Sequence, residues 1–237
     1  QRKVHLVRYA DDFVVTGDSR ETLETLVKPW IVEFLRERGL QLSEEKTKIV
    51  HIDEGFDFLG WNFRKYNGKM LIKPNRKNVK AFYSKVSEVI RRSLSVPLEL
   101  LIRKLNPVLR GWAEYHKGVV AKATFSRLDH LIYWRLMRWG RRRHPRKSGK
   151  WVYAHYWQET GSRRDFAVTL PEKNGDMRTL VLYRLADTKI VRHQKIKGEY
   201  NPFDPEWFAY AERLLTARML QDIWDTQRLK LWMQQGG

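Results

Sequence analysis

Between Val79 and Trp139 the apolar residues fall into three successive runs at helical spacing, and these limit the architecture more than any other feature of the chain. Val79, Phe82, Tyr83, Val86, Val89 and Ile90 make the first stripe. Leu98, Leu101, Ile102, Leu105, Leu109 and Trp112 make the second, behind Pro97, where proline suits a helix start. Phe125, Leu128, Leu131, Ile132, Leu136 and Trp139 make the third. Steps of three and four residues place each set on one helix face, and the short links predict a small three-helix bundle.

Before this block the pattern is mixed. Apolar, β-branched runs flank Asp11-Asp12 and predict a hairpin with strands near residues 4–7 and 13–16. Asp18 and Glu21 resemble a capping box, followed by Leu23, Leu26, Val27, Trp30, Ile31 and Phe34 on one helical face, with Gly39 placed to end the helix. Pro29 inside that run should break or kink it. Residues 40–42 and 49–52 read as short strands. Residues 56–63 and 69–72 flank Asn67-Gly68, the preferred two-residue hairpin turn, and predict a second hairpin. After the bundle, Arg141 to Lys150 reads as a basic loop running into Trp151, Tyr153, Tyr156 and Trp157. Residues 163–196 alternate like strands with a turn near Asn174-Gly175, and a final helix pair is expected over roughly 205–232. The fold class is α+β: a partial sheet with hairpins and one helix, a three-helix bundle, and a small mixed basic region.

Charge is distributed as unevenly as structure. Residues 1–70 hold 12 Lys and Arg against 12 Asp and Glu, residues 71–150 hold 21 against 4, and residues 151–237 hold 13 against 11. Nearly all of the net charge of +19 therefore lies in the bundle and its exit. A concentrated basic block implies a polyanionic partner, and its core-spaced Trp and Tyr residues favour nucleic acid over a membrane surface. Candidate contacts on the outward faces are Arg91, Arg92, Arg103, Lys104, Arg110, Lys117, Arg127, Arg135 and Arg138. Arg141, Arg142, Arg143, Arg146, Lys147 and Lys150, interleaved with aromatic rings, suit phosphate attraction with base stacking, or equally a charged linker entering an aromatic core. The chain has no cysteine, which excludes disulfides and Cys-ligated zinc and fits a reducing compartment. No run approaches the ~18 apolar residues of a membrane span. The first residue is Gln1, as expected of a piece of a longer protein.

Adjacent carboxylates between apolar strands pose a specific problem. Asp11 and Asp12 repel each other, so either a cation stabilises them or they sit at the wet tip of a turn, where Asp is common without any function.

Tyr9-Ala10-Asp11-Asp12, Leu42-Ser43-Glu44-Glu45-Lys46-Thr47-Lys48 and Phe58-Leu59-Gly60-Trp61, in that order, resemble the last palm blocks of a reverse transcriptase. Leu105 to His116 (LNPVLRGWAEYH) resembles the maturase-specific X, or thumb, motif of group II intron-encoded proteins. Arg142 to Lys147 with Lys150-Trp151, and Ile190 to Gly198, resemble the segment between thumb and endonuclease in the same family. The resemblance implies palm over residues 1–72, thumb over 73–140, a basic DNA-binding region over 141–200 and a helical lead-in to an absent endonuclease over 201–237. It implies RNA-directed DNA polymerisation from dNTPs with Mg²⁺, and intron RNA and target DNA as partners. Asp11 would be a direct metal ligand and Asp12 a neighbouring one. Tyr9 would support the primer or template end, Phe58, Leu59 and Gly60 would grip the primer backbone, and Lys46 would lie near the site or on an ordinary surface loop. The family's fingers and remaining palm carboxylate lie upstream of these blocks, so an upstream portion on another chain or segment is expected. The other reading is a maturase that binds intron RNA for splicing without catalysis. The implied setting is the bacterial cytoplasm or an organelle.

Overall fold

The computed structural model describes residues 3–172, 175–192 and 196–223. It is α+β, with three separate small antiparallel sheets around a central bundle. Among the described residues no helix is long and apolar enough to cross a membrane.

Strands β1 (His5–Tyr9) and β2 (Asp12–Thr16) pair antiparallel from His5 opposite Thr16 to Tyr9 opposite Asp12. The turn is therefore Ala10-Asp11, with Ala10 at φ 52, and Asp12 opens the second strand instead of sharing the tip. A helical stretch follows as α1 (Arg20–Thr22), a π-turn over Leu23–Val27, and α2 (Lys28–Arg36). Its cap is Ser19, not Asp18: Ser19 Oγ accepts from the Thr22 amide at 3.1 Å. The π-turn accounts for Pro29. The widened turn sends the Lys28 amide back five residues to the Leu23 carbonyl, so Pro29, which has no N–H, falls at the change of register in the first turn of α2. Gly39 ends the stretch at φ 68, with its amide on Arg36 O and the Leu40 amide on Leu35 O, a Schellman closure.

The strands expected over 40–42 and 49–52 are absent; that segment is irregular with turns. A strand needs a neighbour along its length, and apart from the Lys65 amide on Ile52 O at 3.0 Å, no strand pairs with these two among the described residues. The second hairpin is larger than expected. Strands β3 (Phe56–Phe58), β4 (Trp61–Tyr66) and β5 (Lys69–Pro74) form one sheet with two tight turns. Asn67-Gly68 is at φ 47 and 79, and Leu59-Gly60 at φ 48 and 79, so both turns hold two left-handed residues.

Asn75 caps α3 (Arg76–Arg92), its side chain accepting from the Asn78 amide at 2.7 Å. Helices α4 (Leu98–His116) and α5 (Lys122–Arg143) complete the bundle, whose core includes Val86, Ile90, Leu101, Ile102, Leu105, Leu109, Phe125, Leu128 and Leu136, all essentially inaccessible to water. Helix α5 continues through Arg143, so Arg141 to Arg143 are its last turn and not a loop. After a short turn, Ser148 caps α6 (Gly149–Tyr156), which crosses α5 where a Cβ on Gly140 would meet Val152 Cγ1 at 2.5 Å.

Strands β6 (Trp157–Thr160), β7 (Arg163–Pro171) and β8 (Met177–Val181) make the third sheet, and its Phe166 and Leu182 enter the same core. From 182 to 192 the expected strand character is replaced by a single 3₁₀ turn, Leu185–Asp187, capped from the bundle by Asp129, whose carboxylate accepts from the Leu185 and Ala186 amides at 2.9 and 2.8 Å. Helix α7 (Phe208–Ile223) covers the first part of the expected helix pair; Asn174 of the expected turn and residues 224–232 lie outside the described residues.

Candidate functional site

The acidic hairpin is exposed. Tyr9, Asp11 and Asp12 all face solvent, and Arg8 Nε secures the turn by donating to Ala10 O at 2.7 Å. Oxygen donors of this kind suit Mg²⁺, but two carboxylates from one turn reach a cation from one side only. Among the described residues no three His, Asp or Glu side chains converge as a metal site. Lys46 sits in an exposed turn, where Thr47 N bonds to Ser43 O.

Phe58, Leu59 and Gly60 form the end of the β3–β4 hairpin, and that end is docked on the bundle. Tyr115 Oη of α4 donates to Leu59 O at 2.6 Å, and the Asn75 amide donates to Gly60 O at 3.0 Å. The Trp61 ring stacks on Tyr115 at 5.1 Å and its Nε1 donates to His116 Nδ1 at 2.9 Å. Because Nδ1 accepts, the His116 proton is on Nε2, which faces Asn78 Oδ1 at 3.3 Å; the same oxygen accepts from Trp112 Nε1 at 2.7 Å. Burial pushes the His116 pKa down to about 4, consistent with a neutral ring. Burial, with a smaller repulsion from Tyr9, raises the Tyr115 phenol, so it stays protonated and donates to the Leu59 carbonyl.

The 105–116 motif is thus mainly internal wiring. Asn106 pins the third sheet, donating to Val181 O at 2.9 Å and accepting from the Tyr183 amide at 2.8 Å. Trp112, Tyr115 and His116 hold the hairpin, and Arg110 lies 5.2 Å from the Tyr183 ring. Sequence reasoning missed Asn78, Trp61, Tyr115 and His116 as a unit. A signal existed: Trp112, Tyr115 and His116 stand at i, i+3 and i+4, a polar-aromatic face at the end of a helix whose buried stripe is otherwise aliphatic.

The expected nucleic-acid contacts divide into groups. Arg91 and Arg92 share Glu88, whose carboxyl Arg91 holds down at about 2. Arg103 pairs with Glu99 at 2.8 Å and Lys117 with Glu114 at 2.5 Å. Lys104, Arg110, Arg138, Arg141, Arg142, Arg146, Lys147 and Lys150 are exposed. Arg143 behaves differently: its Nη1 donates to Leu94 O at 3.2 Å and Val96 O at 2.5 Å, closing the α3–α4 loop, and its guanidinium lies 5.3 Å from the Trp139 ring. The aromatic residues of the exit are partly committed too. Trp151 stacks on His155 at 4.5 Å with Lys147 over its ring, and His144 Nε2 meets Tyr156 Oη at 2.7 Å.

Residues 79–157 match the family model described as the maturase-specific domain of group II introns, and residues 1–63 match that of reverse transcriptase, RNA-dependent DNA polymerase. The chain is thus similar to two families, to reverse transcriptases over its first part and to group II intron maturases over its middle. Similar curated proteins are "Maturase-like protein 1" of Euglena gracilis, 31% identical over 97 residues (40% of this chain), and its namesake in Euglena longa, 30% over 87 residues (35%). "Ribosomal operon-associated A protein" of Euglena longa is 24% identical over 131 residues, 54% of this chain. The matched segments span 21%, 19% and 25% of those three proteins. The reverse-transcriptase match ends inside β4, just past Leu59-Gly60, and the maturase match contains Tyr115 and His116. The docked hairpin therefore lies at the seam between the two matched segments.

Proposed function

We propose that this chain is the later palm, thumb and basic region of a protein that binds group II intron RNA, assists its splicing and copies RNA into DNA from dNTPs at a target DNA. The carrying observation is the exposed Asp11-Asp12 pair on an apolar hairpin, with Tyr9 paired opposite Asp12. Two neighbouring carboxylates on an apolar hairpin gain from a divalent cation that offsets their repulsion. Asp11 and Asp12 would hold Mg²⁺ from one side; when bound, such ions activate an attacking hydroxyl and neutralise charge at phosphorus. The remaining ligand and the fingers would come from an upstream portion on another segment or chain. The exposed bases of α4, α5 and the α5–α6 turn would attract RNA phosphates.

The test is primer extension on an RNA template by the full-length protein. Asp11→Asn should reduce Mg²⁺-dependent synthesis to background while intron RNA binding and splicing assistance persist; Asp12→Asn should impair it less. The 237-residue chain alone should bind RNA and extend a primer only when the upstream portion is added. The relatives' names favour a second reading, a maturase without polymerase activity. Splicing assistance by a full-length protein that extends no primer would establish that reading instead.

A further inference from the structure

The Leu59-Gly60 turn is held by the bundle more firmly than a hairpin tip requires. A two-residue turn with both φ values positive is ordinarily filled by Asn-Gly, as at Asn67-Gly68 in the next hairpin. Here the first position is Leu59, an aliphatic side chain in the left-handed region. Such backbone persists where the surroundings over-determine it, and these places cluster at functional sites. The surroundings are explicit: Tyr115 Oη on Leu59 O at 2.6 Å, the Asn75 amide on Gly60 O at 3.0 Å, and Trp61 both stacked on Tyr115 and bonded to His116. Gly60 itself is closely approached, since a Cβ there would stand 3.1 Å from Asn78 Nδ2. Tyr115 also borders an open cleft between α3 and α4, lined by Ala81, Lys85, Pro107 and Gly111 among others.

We propose that Tyr115 is a positioning residue for the primer strand: its hydroxyl fixes the Leu59 carbonyl, and so fixes where the turn stands on the bundle. The inference rests on the polymerase reading given above. Tyr115 touches no reacting atom; it acts through the turn. Without the hydroxyl, the Trp61–His116 and Asn75–Gly60 bonds still hold the hairpin, and what is lost is the tether on the Leu59 carbonyl itself.

The test compares Tyr115→Phe with Asn106→Ala in the full-length protein. Tyr115→Phe keeps the ring stacked on Trp61 and removes only the bond to Leu59 O. Asn106→Ala breaks a tether on another side of the same helix, to β8. Tyr115→Phe should raise KM for primer–template about tenfold or lower kcat comparably, because misplacement by ~1 Å costs up to ~100-fold. Its melting temperature and intron RNA affinity should stay near wild type. Asn106→Ala should lower the melting temperature and leave the primer KM within about twofold. Unchanged primer kinetics in Tyr115→Phe, with active wild type, would overturn the proposal and leave the polymerase reading intact. Equal primer defects in both variants would reduce Tyr115 to a structural role. A wild-type protein that binds intron RNA and extends no primer would defeat the polymerase reading, and the proposal with it.

Discussion

Residues 3–74 and the bundle that follows draw on the same apolar residue types and use them in opposite ways. In the bundle, Leu101, Ile102, Leu105 and Leu109 are wholly buried. Before Asn75, Val27 is the one buried aliphatic among the described residues, while Leu6 is 63% exposed, Trp30 70% and Phe34 56%. The palm segment is electrically neutral and the bundle strongly basic. The bundle closes its core together with α6 and the third sheet, through Val152, Tyr156, Trp157, Phe166 and Leu182. In the first segment Trp61 and Ile72 of the β3–β5 sheet pack against that core, whereas the first hairpin and the amphipathic helix leave much of their apolar surface facing outward. A large exposed apolar surface rimmed by polar groups marks a docking face. The difference separates a module organised around one core from a surface suited to docking.

The sharpest way to break that comparison is core truncation. Leu105→Ala or Leu109→Ala should destabilise the chain by about 2–5 kcal/mol in denaturant unfolding. Leu6→Ala should cost less than about 0.5 kcal/mol, the usual range for an exposed site. Equal losses would mean that the palm segment shares the bundle's core.

A second measurement probes the seam. His116 is neutral and buried in the folded chain, with its pKa lowered to about 4 from 6.5. The unfolded state therefore binds more protons between these values, and the stabilisation is complete above about pH 6.5 and lost as pH falls through about 4. The slope attributable to this group is at most about 1.4 kcal/mol per pH unit. Subtracting the profile of His116→Gln cancels the other titrating groups. A difference curve flat between pH 7 and 4 would show that the seam does not depend on a neutral ring.

The smallest effect separates the cations. Neutralising Arg141, Arg142, Arg146 and Lys147 together should flatten the dependence of log RNA affinity on log salt by about 0.7–0.9 for each phosphate that these side chains neutralise in the wild-type complex. Arg143→Ala should instead lower stability and change the slope little, since its guanidinium is occupied with Leu94 and Val96 carbonyls. A slope change confined to Arg143 would reverse this assignment.

Features that depend on nearby residues are legible in the sequence. The Asn67-Gly68 turn, the Gly39 helix end, the Asn75 start and the three stripes each follow from a few adjacent side chains. What escapes the sequence depends on distance. Leu59 carries no turn signal of its own, and its left-handed backbone is explained by Tyr115, 56 residues away. Arg143 looks like one more cation in a basic run until the α3–α4 loop brings two carbonyls to it. Residues 40–42 and 49–52 have strand composition, but composition cannot provide a neighbouring strand. Pro29 is a third kind of failure, since a π-turn leaves no pattern in apolar spacing. At the candidate site, the carboxylates and most exposed cations can be named from sequence, whereas the wiring between hairpin and helix cannot.

The seam also dictates where the protein can be cut. By alignment the two family units part between residues 63 and 79, which invites a fragment that begins at Arg76 with the first bundle helix. Such a fragment would lose Trp61 and leave the buried His116 Nδ1 without its donor, strip the stack from Tyr115 and remove the Asn75 cap. A cut made upstream of Phe56 keeps β3–β5 with the helices and leaves every one of these bonds intact. In space the helical unit begins about twenty residues before its first helix, at the β3–β5 sheet that docks on it.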